Sequence, residues 1–165
     1  HENVQPDMLI LGKALSGGVY PVSAVLANDS IMNVIKPGQH GSTFGGNPVA
    51  AAVAIAALQV IKDENLVENS DVLGKLFRAK LNEYIKTSSI VTLVRGKGLL
   101  NAIVINDTEE SETAWNICMK LSENGLLAKP THGNIIRFAP PLVMTEEQLL
   151  ECVSIITKTL KEFEN

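Results

Sequence analysis

Lys13 closes a short apolar run, Met8-Leu9-Ile10-Leu11-Gly12, and opens onto Ala14-Leu15-Ser16-Gly17-Gly18. A lysine at a strand end is held by stiff backbone while its four-carbon stem reaches into the cleft beside the following glycine turn. Its amine is then placed to attack a carbonyl. The ordinary alternative is a solvated lysine just past a strand. A second constellation is His40-Gly41-Ser42-Thr43-Phe44-Gly45-Gly46-Asn47, two hydroxyls among glycines ahead of a helix. Helix N-termini carry unpaired N–H groups and the positive end of the dipole, so they favour anions. The loop is not a P-loop, since GxxxxGK[ST] is unmatched, and Gly96-Lys97-Gly98 lacks the third glycine of a dinucleotide fingerprint. Read alone it is either a phosphate site or a tight turn before a helix.

The third candidate is Arg137, inside the apolar stretch Ile135-Ile136-Arg137-Phe138-Ala139-Pro140-Pro141. A guanidinium there calls for a partner, and a carboxylate gripped by both N–H arms is the natural one. That carboxylate belongs either to a substrate or to an internal glutamate. Lys129 reads as a surface or packing residue near this site, and Arg95 and Lys97, flanking glycines, read as solvated. An amine, an anion loop and a carboxylate-binding arginine together suit an enzyme that condenses with a phosphorylated aldehyde cofactor and accepts an amino acid. That is pyridoxal-phosphate chemistry, in which the cofactor is the electron sink and the protein orients it.

Composition bounds the rest. With 165 residues, 45% of them hydrophobic, the chain can form one good domain or two small lobes. Only 19% are charged, which excludes disorder and implies that much of the surface is covered by something. The net charge of −4 and the scattered lysines and arginines give no electrostatic basis for nucleic-acid or anionic-membrane binding. No run of about 18 apolar residues occurs, so no membrane span is expected. Cys118 and Cys152 fall in expected helices with apolar neighbours and read as reduced thiols, not as a disulfide framework. His1, His40 and His132 show no metal-ligand spacing, with each other or with the cysteines, so no metal is expected. The chain starts at His1 without a methionine, a signal peptide or a basic leader, and reads as an internal segment.

The elements that must position these residues follow from local patterning. Residues 8–11 and 22–27 read as short buried strands, and 29–35 as a short helix stopped by Lys36-Pro37-Gly38. Asn47-Pro48 is a good N-cap with proline at the first helical position, opening a helix to about residue 62. That helix is apolar on every side, which predicts burial on every side and makes this lobe part of a larger body. A second helix starts at Asn65 with Glu68 as its capping-box partner and reads as the link between lobes. After Thr87-Ser88-Ser89 the texture is mixed α+β, with strands at 90–95, 98–105 and 134–138 and a helix at 111–124. The last helix opens on Thr145-Glu146-Glu147-Gln148, another capping box.

Three segments carry a family resemblance: Gly12-Lys13-Ala14-Leu15-Ser16-Gly17-Gly18, the loop His40–Pro48, and Arg95-Gly96-Lys97-Gly98-Leu99-Leu100. Together the chain resembles the class III pyridoxal-phosphate-dependent aminotransferases, and the stretch from Gly125 to Leu142 is similar to the ornithine-type members. The resemblance implies a fold-type I α/β enzyme. Residues 1–65 would be the C-terminal part of the cofactor-binding large domain, 66–88 a connecting helix, and 89–165 a small α+β C-terminal domain. Lys13 matches the lysine that anchors the cofactor as a Schiff base and shuttles a proton. Thr43, with Ser42 beside it, matches the hydroxyl that binds the cofactor phosphate, in this family across a homodimer interface. Arg137 matches the arginine that binds a substrate carboxylate, freed from a glutamate when the second substrate enters. The implied reaction moves the δ-amino group of L-ornithine to 2-oxoglutarate. Another ω-aminotransferase (acetylornithine or 4-aminobutyrate type), an aminomutase and a non-catalytic interaction module are the alternatives. The family places that glutamate, the aspartate facing the pyridine nitrogen, the stacking aromatic and the front phosphate loop before residue 1, so this chain is expected to be incomplete as an enzyme. A cytoplasmic location is expected, with the mitochondrial matrix as the alternative.

Overall fold

The computed structural model describes residues 3–164. His1, Glu2 and Asn165, which include the chain start and one of the three histidines, lie outside the described residues. The chain divides into two compact units, His1–Glu64 and Asn65–Asn165.

In the first unit, β1 (Met8–Leu11) pairs antiparallel with β2 (Ala24–Ala27), Leu9 opposite Leu26 and Leu11 opposite Ala24. Between them a 3₁₀ turn, Lys13–Ser16, ends on Gly17 and Gly18, both at positive φ. The helix expected at 29–35 is shorter, α1 (Asp29–Met32). α2 (Pro48–Asp63) begins as the Asn47-Pro48 pattern dictates: Asn47 Oδ1 accepts from the Val49 and Ala50 amides at 2.9 and 3.2 Å. α2 packs against the 3₁₀ turn, with Ala57 close to Gly17.

Within this chain alone the apolar surfaces of this unit are open. Met8, Leu9 and Ile10 of β1 and Val25 and Leu26 of β2 are exposed. Of α2 only Ala50 and Ala54 are buried, while Val49, Ile55 and Leu58 face out. One helix shields only the side that touches the turn and a two-stranded ribbon covers neither of its own faces, so these surfaces are those a larger body would cover.

The second unit is a two-layer α+β body. α3 (Leu66–Ile85) leads into β3 (Val91–Lys97) and β4 (Leu100–Ile105), then α4 (Thr113–Glu123), β5 (Lys129–Thr131), β6 (Ile135–Phe138) and α5 (Glu146–Lys161). The antiparallel sheet has order β3-β4-β6-β5. One face meets the three helices and forms the core, where Phe77 and Leu81 of α3, Ile117 and Leu121 of α4 and Ile156 and Leu160 of α5 pack on Ile103, Ile105, Ile136 and Phe138. Phe77 and Phe138 meet tilted, ring centres 5.7 Å apart. The Thr145–Gln148 capping box forms as expected. The one expected at Asn65 does not, because Asn65 sits in the left-handed region (φ 52°), so its side chain makes no capping bond and its backbone separates α2 from α3.

α3 also holds the β3–β4 hairpin tip. A Cβ on Gly74 would fall 1.8 Å from the Gly98 carbonyl oxygen, so only glycine admits the strand turn here. Arg78 Nη1 donates to the Gly98 oxygen (3.0 Å) and to Asn101 Oδ1 (2.7 Å), and the Leu99 amide donates to Ser70 Oγ at 3.0 Å. Both cysteines are free, Cys118 buried and Cys152 half-buried. Burial pushes the Cys118 thiol up to about 11, which keeps it protonated and inert.

Candidate functional site

Lys13 is placed by a break in regular structure. Gly12 is fully extended, and Lys13 then takes φ 52°, a left-handed conformation that non-glycine residues adopt at a cost of about 1–2 kcal/mol. The turn that imposes it is tied down by Ser16, which is 1% exposed. Its hydroxyl donates to the Tyr20 carbonyl oxygen and accepts from the Tyr20 amide. Tyr20 in turn accepts, through its phenolic oxygen, a hydrogen bond from Asn47 Nδ2 at 3.2 Å. So one short chain of contacts, Ser16 to Tyr20 to Asn47, links the lysine turn to the glycine loop.

That link frames an open cleft of about 1010 Å³ in the first unit. Lys13, Tyr20, Ser42, Phe44 and Asn47 all line it. The structure therefore brings Lys13 and the Ser42 end of the loop to one cleft, while Thr43, exposed, is not part of its lining. The loop is a tight turn, with the Gly45 amide donating to the Ser42 carbonyl oxygen at 3.1 Å. One part of the anion argument changes. Pro48 has no N–H, and Asn47 already occupies the next two amides of α2. An anion here is left with the loop hydroxyls and backbone, not the helix start.

Arg137 lies in the second unit, on β6, and is exposed, not buried as the apolar stretch suggested. Strand alternation explains the difference: Ile136 and Phe138 point into the core, which turns Arg137 to the uncovered face. Among the described residues it joins no ion pair.

Ser16, Tyr20 and Asn47 were missed as positioning residues by sequence reading. The only local signal was Asn47-Pro48, which marks a cap and says nothing of the Tyr20 contact. Among the described residues no group of histidine, cysteine and acidic side chains is arranged to hold a metal, and no helix is long and apolar enough to cross a membrane.

Comparison with known proteins decides the family. The class-III aminotransferase model matches residues 1–160. The chain belongs to the class-III aminotransferase family. It is 59% identical over 163 residues to the mitochondrial ornithine aminotransferase of Rattus norvegicus, covering 99% of this chain and 36% of that protein. Identity to the Drosophila melanogaster mitochondrial enzyme of the same name is 61% over 160 residues, 97% of this chain and 36% of the relative. Among solved structures, an acetylornithine aminotransferase from Elizabethkingia anophelis matches with TM-score 0.94 and 71% identity, over 99% of this chain and 41% of that one. The Plasmodium falciparum ornithine δ-aminotransferase matches with TM-score 0.90 and 53% identity, over 98% and 40%. The fold is that of the fold-type I pyridoxal-phosphate transferases. The chain spans little more than a third of the length of the curated relatives it matches.

Proposed function

We propose that this chain carries the lysine, the phosphate-loop hydroxyls and a carboxylate-binding arginine of an enzyme that transfers the δ-amino group of L-ornithine to 2-oxoglutarate, giving L-glutamate 5-semialdehyde and L-glutamate. The observation that carries the reading is Lys13, held in a left-handed turn on the same cleft as Ser42 and the glycine loop. The cleft suits pyridoxal 5′-phosphate in that Lys13 offers an amine for its aldehyde and Ser42 a hydroxyl, while Thr43, outside the lining, is left for the phosphate of a second subunit's cofactor. When bound, that group supplies an electron sink for the pair left when the substrate loses a proton.

The roles of the chain's own residues follow. Lys13 Nζ holds the cofactor until the amino donor displaces it. The freed amine then takes the proton from the substrate carbon that bears the transferred nitrogen, and returns a proton to complete the transfer. Ser42 and Thr43 hydroxyls bind phosphate, Thr43 serving the cofactor of a second subunit in a homodimer. Arg137 binds a carboxylate with both N–H arms.

The 71% identical structure bears the name of an acetylornithine aminotransferase, so Nα-acetylornithine is the competing donor. The intact enzyme is to be assayed with L-ornithine, Nα-acetylornithine and 4-aminobutyrate against 2-oxoglutarate. The proposal expects kcat/KM for ornithine at least about tenfold above the others, since one differing polar group in a fitted site is worth that much. A preference for the acetylated donor would replace ornithine with acetylornithine, and no turnover with any of them would overturn the enzyme reading.

A further inference from the structure

The sheet face opposite the core of the second unit carries an arrangement that the proposed roles do not use. Directly paired residues of neighbouring strands share a face, their Cα atoms about 5 Å apart. Arg95 pairs with Ala102, Ala102 with Arg137, and Arg137 with Lys129. All four therefore stand in one row across the sheet, three cations with a single methyl between Arg95 and Arg137. Arg95, Arg137 and Lys129 are exposed and Ala102 is half-buried.

The rest of that face, Leu93, Lys97, Leu100, Val104, Thr131 and Ile135, contains a fourth cation and no carboxylate. Among the described residues none of these cations joins an ion pair. Like charges placed directly opposite destabilise a strand pair, and Arg137 and Lys129 are such a pair. Among the described residues no carboxylate is paired with Arg137 or Lys129. An anionic ligand would relieve the repulsion.

We propose that Lys129 is a second cation of the carboxylate site at Arg137, and that it sets the affinity of the enzyme for its anionic oxo-acid substrate. This rests on the reading of Arg137 given above. Arg137 supplies the planar two-armed contact, while Lys129, a point charge on a flexible stem at the next strand, adds attraction without fixed geometry. Lys129 is thus a specificity-determining residue and takes no part in proton transfer.

The test uses the intact holoenzyme and its Lys129→Met and Lys129→Arg variants. Glutarate, a dicarboxylate that cannot react, is titrated by calorimetry, and KM and kcat for 2-oxoglutarate and for the amino donor are measured separately. Loss of one nearby charge at a partly solvated site predicts glutarate binding and oxo-acid KM weakened about tenfold in Lys129→Met. In that variant kcat and the donor KM should stay within about twofold, and Lys129→Arg should recover most of the loss. Unchanged glutarate binding in a Lys129→Met protein with wild-type thermal stability would overturn the proposal and leave the row as a solvated face. Glutarate binding reads Lys129 even if the donor proves different, whereas failure of the parent protein to transaminate would count against the functional reading alone.

Discussion

At the scale of single residues, Lys13 stores strain at a defined place. Left-handed backbone at a lysine persists only where surrounding contacts over-determine it, and such residues cluster at functional sites. Here the surrounding contacts are Ser16 with Tyr20 and Tyr20 with Asn47. Lys13 itself was legible from its address, an apolar run followed by glycines. Its left-handed backbone was not, because positive φ at lysine leaves no compositional trace. Tyr84 offers a separate residue-level test. Its hydroxyl donates to Glu164 at 2.6 Å and its pKa is pushed up to about 12, first by burial and then by that bond. The folded value lies above the ordinary value of 10.0, so the stability this group contributes is fully present below pH 10 and is lost as pH rises toward 12. Glu164 is held low by the Ser88 hydroxyl and then by Tyr84, so its contribution is present above its usual range and is lost on acidification. Melting temperature followed against pH should fall more steeply between pH 10 and 12 for the parent than for Tyr84→Phe. Parallel curves would contradict the assignment.

At the scale of elements, what was legible was whatever local chemistry decides. Asn47-Pro48 and Thr145–Gln148 announce helix starts because the capping bonds are made within four residues. β5 was invisible: Lys129-Pro130-Thr131 has three residues, a proline and no alternation, and is a strand only because β6 lies beside it. The outward face of Arg137 was hidden for the related reason that a four-residue strand shows too little period to reveal its faces. The hairpin tip is the element most exposed to a single change. Gly74→Ala should gain about 1 kcal/mol of helix propensity. Against this, the Cβ meets the Gly98 carbonyl at 1.8 Å, a backbone clash that no rotamer relieves, and overpacking of this kind costs about 3 kcal/mol. The clash wins. Denaturant unfolding of the intact protein should show Gly74→Ala destabilised by about 2 kcal/mol, the difference between those two effects, and a stabilised variant would mean that α3 and the hairpin do not meet as described.

At the scale of the whole molecule, the two units differ in how far they satisfy themselves. The second has a closed core of helices on a sheet. The first leaves Met8, Ile10, Val25, Leu26, Ile55 and Leu58 exposed. Low charge and uniformly apolar segments implied that these surfaces are covered, and the covering elements are not among the described residues. The fold-type I architecture was legible through the lysine and loop motifs, whereas the antiparallel order β3-β4-β6-β5 follows from long-range pairing that no local pattern states. Lys13 as the cofactor anchor is tested by chemical trapping, without altering the chain. The intact enzyme loaded with pyridoxal 5′-phosphate is reduced with borohydride, digested and mapped by mass. A pyridoxyl group on the peptide containing Lys13 is the predicted result, and a label on another lysine, or on none, would contradict it.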